Sequence, residues 1–329
     1  MKKAHLAVIL AFVVAIILLL CLCGNCKHSK QIGVIPVDSI INQKNLGDTS
    51  VTDTFDVVNF LEDSIFLEES LDDIEMEELD SIDMALLMLL PAPITKYPEQ
   101  ILVRKSYILS YNKELRLPNW VAWHLTADHT DGIYKWKNSF REDVSVQTPR
   151  ATVSDYKGSG WSRGHMCPSG DNKWDSEANY QTFLMTNICP QDAKLNSGLW
   201  NSMEMDCRKW AKRFGDIFIV CGPLPLKKPY DTIGENKVAV PKAFFKVVIC
   251  LRNEPNGFGF VVKNNDGQKK NDLYYNSIRE VERMTGYDFF PLLNDSIEDM
   301  IESKVDTSLW YPKKKHTTTD SLNIKNGTH

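Results

Sequence analysis

Charge is distributed very unevenly along the chain, which indicates that the folded core lies in its second part. Residues 1–95 contain five Lys or Arg and fifteen Asp or Glu, whereas residues 96–329 contain 33 basic and 28 acidic residues. The overall net charge of −5 therefore combines an acidic leader with a mildly basic body. A mildly basic body is compatible with a polyanionic partner but does not require one.

The leader begins with an apolar run. Two lysines precede an uncharged stretch from Leu6 to about Cys23, which is nearly long enough to span a hydrocarbon core of ~30 Å. Lysines at its start favour an N-inside orientation, with everything after Gly24 on the far side of the membrane. We predict a membrane anchor or signal at residues 1–26, which holds the body outside the cytoplasm in a periplasmic or extracellular location. A lipoprotein signal with a nearby cysteine lipidated is the alternative.

Residues 27–98 form an acidic segment of low complexity, in which no Lys or Arg occurs between Lys44 and Lys96. Such a segment is typical of a solvated spacer that keeps the body away from the membrane. The alternative is a segment that docks on the basic body and restrains it. Three prolines in residues 91–98 mark its end.

From Ile101 the pattern becomes that of β-strands. The runs LVRKSYILSYN and NWVAWHLT, separated by the turn-prone KELRLP, predict a hairpin. A further strand is predicted from Thr182 to Ile188, and three more in the runs DIFIVCGPL, AFFKVVICL and GFGFVVKN.

Two helices are predicted between these strands. The first covers Asn196–Phe214, with apolar residues at helical spacing and Gly215 as its stop. The second begins after Ser277 and ends at Gly286. Antiparallel strands with intervening helices indicate one α+β domain over residues 99–312, with a mostly antiparallel central sheet flanked by helices. The polar tail at residues 313–329 is predicted to be disordered.

Five cysteines lie in the body without any CxxC pair. A structural zinc site is therefore not expected. We predict that most of them are small buried side chains of strands and helices.

The segment of residues 156–208 contains the residue types that phosphodiester hydrolysis needs: a base, a ligand for a cation, and a hydrogen-bond donor to the phosphate. His165 is a suitable base because an imidazole near its reference pKa of ~6.5 is largely neutral at pH 7. Asn196 offers an amide oxygen of the kind that Mg²⁺ accepts. Glu204 and Arg208 follow at two and three helical turns, on the same face.

Each of these residues also has a structural explanation. A lone histidine near a glycine is more often structural than catalytic. Asn196 would then be a helix cap, and Glu204 and Arg208 would form an ordinary surface ion pair.

Linked motifs add a resemblance that covers about Tyr107 to Leu292. The chain resembles the DNA/RNA non-specific endonuclease family, the His-Me finger (ββα-metal) nucleases that include mitochondrial endonuclease G. The family signature D-R-G-H corresponds to Ser162–His165, N-x-x-P-Q to Asn187–Gln191, and N-x-G-x-W-x-x-x-E to Asn196–Glu204. The segments RATVSDYKGSGW, CGPL, VAVPKAFFKVV and VERMTGYDFFPLL also fit the family.

The resemblance implies an activity, which is metal-dependent hydrolysis of DNA and RNA without sequence preference. It also implies a fold with a ββα-metal site, with Mg²⁺ as the cofactor and Mn²⁺ as a substitute. The protein would contact the backbone of DNA and RNA, and relatives often form homodimers. A docked acidic leader would then act as a mimic of nucleic acid.

It also implies a role for each matching residue. His165 would be the general base, and Asn196 would be the direct protein ligand of Mg²⁺. Glu204 would hold waters bound to the metal, and Arg208 would bind phosphate or stabilise transition-state charge. Arg163 would either brace the finger or take part in catalysis. Two residues are implied as supports, Trp200 as a core residue and Asn187 as a support of His165 or of the metal shell.

The chain departs from the family pattern in two places. Ser162 stands where most members have Asp, as in the exonuclease-like branch, so exonucleolytic trimming is an alternative mode. The family's upstream phosphate-binding arginine has four candidate counterparts: Lys135, Lys137, Arg141 and Arg150. Cleavage of a small phosphodiester, or nucleic-acid binding by a degenerate domain, remain the rival functions.

Overall fold

A seven-stranded sheet forms the centre of the domain, in a computed structural model that describes residues 84–135, 139–252, 254–265 and 274–311. Every neighbouring pair of strands in this sheet is antiparallel. In spatial order the strands are β1 (Gln100–Val103), β2 (Ile108–Asn112), β3 (Leu117–Thr126), β6 (Asp216–Pro223), β9 (Ala243–Cys250), β10 (Asn256–Lys263) and β11 (Tyr275–Asn276). Two small hairpins complete the strands: β4 (Ser162–His165) with β5 (Ile188–Gln191), and β7 (Thr232–Ile233) with β8 (Val238–Ala239).

The helices pack on both faces of this sheet, so the predicted α+β class with a mostly antiparallel central sheet is confirmed. They are α1 (Met84–Met88), α2 (Val153–Tyr156), α3 (Ser176–Gln181), α4 (Ala193–Leu195), α5 (Asn201–Phe214), α6 (Ile278–Thr285) and α7 (Asp295–Glu302). Both predicted helices are present. Gly215 ends α5 with a φ of 97°, and Ser277 caps α6 through its side chain.

The first predicted strand run proves to contain two strands. The amide of Arg104 donates to the carbonyl of Tyr107 at 2.8 Å, which closes a turn between β1 and β2. The predicted hairpin is therefore formed by β2 and β3, with β1 added at the edge of the sheet.

The strand predicted from Thr182 to Ile188 is wrong for most of its length. Thr182 follows α3, and its hydroxyl donates to the carbonyl of Asn179 at 2.7 Å. A 3-10 turn then occupies Met185–Asn187, and the strand β5 begins only at Ile188. Local hydrogen bonds from polar side chains thus override the apolar pattern of this segment.

Alternation of side chains along the strands gives the sheet two apolar faces. One face packs under α5 and the β4–β5 hairpin, with Trp123, Trp200 and Trp210 at its centre. The opposite face packs under α1, α6 and α7, around Phe218 and Phe245. All five body cysteines are buried and free, and all except Cys167 lie in strands or helices, which confirms the prediction for most of them.

The end of the acidic leader packs on the second of these faces. Leu86, Leu87, Leu89 and Leu90 are buried there, and the amide of Ala92 donates to the carbonyl of Asp288 at 2.8 Å. The predicted boundary between the linker and the domain, at residue 98, therefore lies after a segment that already packs on the domain. The anchor at residues 1–26, most of the linker and the tail from residue 313 lie outside the described residues. Among the residues that are described, no helix has the length and apolar character needed to cross a membrane.

This packing makes the leader's last turn part of the stability of the domain. Leu89 is only 3% exposed, so Leu89→Ala should lower the free energy of unfolding by about 2–5 kcal/mol. Ile133→Ala serves as the control, because Ile133 is 85% exposed and such a change alters stability by about 0.5 kcal/mol or less. Denaturant unfolding of both variants measures the difference, and equal stability would show that the leader's end is not docked in solution.

Candidate active site

The β4–β5 hairpin forms a finger that carries the first group of predicted site residues. In its antiparallel register Ser162 pairs with Gln191, and His165 pairs with Ile188. Gly164 lies against the buried side chain of Gln191, where an added Cβ would overlap with that side chain. The glycine of the signature is therefore required by close packing within the finger.

His165 lies at the end of β4 between two aromatic rings. The ring centroids of Phe140 and Phe183 are 5.2 Å and 5.1 Å from that of the imidazole. Nε2 is buried without a hydrogen-bond partner among the described residues, while the residue as a whole is half-buried. Burial, together with the nearby positive charge of Arg163, lowers the pKa of His165 to about 4. The imidazole is therefore neutral at pH 7, as a general base must be.

Arg163 and Ser162 flank this base on the finger. The guanidinium carbon of Arg163 lies 4.3 Å from the ring centroid of Phe140, the ring that also contacts His165. This cation–π contact fits the predicted bracing role. Ser162 is half-buried opposite Gln191, and its contribution to the reaction stays a prediction.

Asn187 holds the backbone on both sides of the finger. Its side-chain oxygen accepts from the amide of Cys167 at 2.9 Å, and its amide group donates to the carbonyls of Cys167 and Thr182 at 2.8 Å. The side chain is fully buried. These contacts fit the predicted support of His165, which lies two residues before Cys167.

Trp200 ties the finger to the helix. Its indole Nε1 donates to the carbonyl oxygen of His165 at 3.2 Å, and the ring is completely buried. The predicted core role of Trp200 thus includes a direct hydrogen bond to the backbone of the base.

The helix was predicted to start at Asn196, but helical backbone already begins at Ala193, where the Asp192 side chain caps it by accepting from the amides of Lys194 and Leu195. A π-helical turn, Asn196–Trp200, follows, which the sequence did not reveal. In a regular α-helix, eight residues would leave Asn196 and Glu204 about 80° apart around the axis. A π turn contains more residues, so each residue rotates less and the two side chains come closer to one face. The predicted common face of Asn196 and Glu204 therefore depends on this turn.

Arg208 lies one turn beyond Glu204, and its partner is an acid that the sequence did not single out. Arg208 Nη1 donates to Asp171 Oδ1 at 2.7 Å, and Trp123 Nε1 donates to the other oxygen at 3.1 Å. Asp171 is almost completely buried, and burial raises its pKa while Arg208 acts in the opposite direction. Asp171 thus holds the guanidinium in a fixed orientation beside Glu204.

Glu204 is half-buried in the midst of these charges. Burial raises the pKa of Glu204 to about 7, while the positive charge of Lys246 acts in the opposite direction. Lys246 is a second residue that the sequence analysis missed. The sequence does contain one indication of its importance, since Lys246 is the single charged residue within the otherwise apolar strand AFFKVVIC.

A divalent cation fits the donors on this helix. Asn196 supplies an amide oxygen and Glu204 a carboxylate, which are the hard oxygen donors that Mg²⁺ prefers together with water. In the part of the chain that the structure describes, no group of three or more His, Cys, Asp or Glu side chains could hold a metal ion.

The four candidates for the upstream phosphate contact occupy different environments. Lys135 is exposed, and Lys137 lies outside the described residues. Arg150 donates to Glu142 at 3.1 Å and to the carbonyl of Val146 at 3.1 Å. Arg141 follows Phe140, the ring next to His165, and its guanidinium lies 3.4 Å from the ring centroid of Tyr180. Position in the fold thus favours Arg141 among the four.

Comparison with known sequences finds relatives that are nucleases. The chain is 40% identical over 220 residues to the mitochondrial nuclease EXOG of Mus musculus, covering 61% of this chain and 60% of that protein. It is 37% identical to a nuclease of Nostoc sp., with 63% of this chain and 78% of that protein covered. The chain thus spans about 60% of the length of the mouse relative.

Structural comparison agrees with the sequence relatives. A solved structure of an EndoG/EndoGI complex, which concerns the inhibition of EndoG, matches with a TM-score of 0.55 and 29% identity. It covers 60% of this chain and 89% of the matched chain. The family model described as DNA/RNA non-specific endonuclease matches residues 93–296. The predicted resemblance is confirmed: the chain belongs to the DNA/RNA non-specific endonuclease family.

Proposed function

We propose that this protein is a Mg²⁺-dependent nuclease that hydrolyses phosphodiester bonds of DNA and RNA without sequence preference. The observation that carries the proposal is the hydrogen bond from Trp200 to His165. It joins a neutral histidine on the finger to the one helix that bears Asn196, Glu204 and Arg208.

The protein's own groups divide the chemistry between them. His165, neutral at pH 7, would accept a proton from the attacking water through its imidazole ring. Asn196 would hold Mg²⁺ directly, and Glu204 would hold it through water. When bound, Mg²⁺ supplies positive charge to the phosphate oxygens. Arg208, fixed by Asp171, would donate to a phosphate oxygen as a charged hydrogen-bond donor.

Broad substrate use follows from the kind of contacts involved. Contacts to phosphate and sugar position a nucleic acid without reading its sequence. The residues assigned to the site bind water, a cation or phosphate, and none is assigned to a base edge. The same site would therefore accept DNA and RNA.

The location outside the cytoplasm, on a membrane, stays a proposal that rests on the sequence. Its support is the apolar run from Leu6 to about Cys23 behind two lysines. A homodimer, which the family resemblance implies, stays a prediction that analytical ultracentrifugation would test.

Loss of the base should separate catalysis from binding. We expect His165→Ala to lower Mg²⁺-dependent hydrolysis by about 10²–10⁴-fold, with DNA binding still measurable. His124→Ala is the control, because that histidine stacks on Phe218 on the opposite face of the sheet. Plasmid nicking with Mg²⁺ and with EDTA measures both variants. Activity of His165→Ala equal to that of the wild type would contradict the mechanism.

Loss of Arg208, the proposed hydrogen-bond donor to phosphate, should change both the turnover and the salt dependence of nucleic-acid binding. Arg208→Gln should lower turnover by about 10²-fold and reduce the slope of log affinity against log salt by about 1. Lys209→Gln is the matched control, because Lys209 is the next residue and its side chain is 72% exposed. Its turnover should be unchanged. Unfolding midpoints are measured alongside, and a loss of turnover shared by both variants would refute a specific role for Arg208.

The mode of cleavage is tied to Ser162 and has its own test. A circular plasmid has no ends, so endonucleolytic cleavage relaxes it, whereas exonucleolytic trimming requires a linear substrate. We expect the wild type to relax the circle and Ser162→Asp to retain that activity. Degradation of linear DNA alone would assign the protein to exonucleolytic trimming.

A further inference from the structure

Lys246 occupies a position that alternation along β9 assigns to the apolar interior. Its neighbours two residues away, Phe244 and Val248, belong to the core on the active-site face of the sheet. Lys246 is 0% exposed, and its Nζ has no hydrogen-bond acceptor among the described residues. A lysine is almost never fully buried unless it is paired.

Two indole rings receive the ammonium group instead of a hydrogen-bond acceptor. Nζ lies 4.5 Å from the ring centroid of Trp200 and 4.9 Å from that of Trp123. Both distances are within the range of a cation–π interaction, which is stronger where water is excluded.

Each indole also holds one part of the site through its Nε1. Trp200 donates to the carbonyl of His165 at 3.2 Å, and Trp123 donates to Asp171 at 3.1 Å. Asp171 in turn accepts from Arg208 at 2.7 Å. Lys246 is therefore linked through Trp200 to the base and through Trp123 and Asp171 to Arg208.

Burial alone would lower the pKa of Lys246, but Cys221, Cys207, Glu204 and Asp171 raise it above its usual value. The surroundings of this side chain are therefore compatible with a charged ammonium group that packs on the two indoles.

We propose that Lys246 is a positioning residue of this site. Its buried ammonium packs on the two indoles that hold the carbonyl of His165 and the carboxylate of Asp171, and it fixes the position of both indoles. The proposal rests on the proposed nuclease function for its catalytic consequence, whereas the packing of the ammonium on the indoles is a property of the folded chain alone.

Lys246→Met tests the catalytic consequence, because methionine is of similar length and carries no charge. We expect turnover of plasmid DNA to fall by at least about tenfold, with little change in KM. Lys242→Met is the control, since it makes the same change on an exposed residue of the neighbouring segment. Its turnover and unfolding midpoint should match those of the wild type. A Lys246→Met enzyme with wild-type turnover would overturn the proposal.

A double-mutant cycle tests the contact between the ammonium and the indole without any catalysis. Free energies of unfolding are measured in EDTA for Lys246→Met, Trp200→Phe and the double variant. We expect the loss in the double variant to be smaller than the sum of the two single losses, since both changes weaken the same cation–π contact. Additive losses would show that this contact does not hold the lysine and would overturn the proposal. A wild type that cleaves no nucleic acid would refute the proposed function, while the cycle would still decide whether the contact exists.

Discussion

The hydrogen bond from Trp200 to the carbonyl of His165 is the interaction on which the site depends. The base lies on the first strand of a two-stranded finger, and the oxygen ligands lie on the helical segment that follows the second strand after Asp192. The indole of Trp200, which is completely buried, ties this helical segment back to the strand of the base. Because both ends of this bond are fixed by secondary structure, the relative position of base and helix follows from packing rather than from surface loops.

Patterns of apolar residues predicted most of the fold, because the strands of the central sheet are long and buried. Two local features were not predictable in this way. Segment 182–187 has the composition of a strand, yet the side chains of Thr182 and Asn187 make local hydrogen bonds that form turns. The π turn at Asn196–Trp200 leaves no trace in periodicity, because one extra residue per turn does not alter the apolar pattern that α5 presents later.

The predictable part of the site consists of the residues that stand in contiguous motifs. His165, Asn196, Glu204 and Arg208 could be named because their spacing is visible along the chain. Asp171 and Lys246 reach the site from a loop and from a central strand, so only the tertiary structure brings them to it. Asp171 orients Arg208, and Lys246 packs on the indoles that hold Asp171 and the base, which are arrangements that sequence spacing does not encode.

The low pKa of His165 has a consequence for how substrate and base would cooperate. Burial and the charge of Arg163 both disfavour the imidazolium, so the ring is neutral but a weak base in the free protein. A phosphodiester bound nearby brings negative charge, which favours the protonated form of histidine, whereas a bound Mg²⁺ acts in the opposite direction. The basicity of His165 at the step where it accepts a proton would therefore be set by the charge of the substrate against that of the metal, and not by the protein alone.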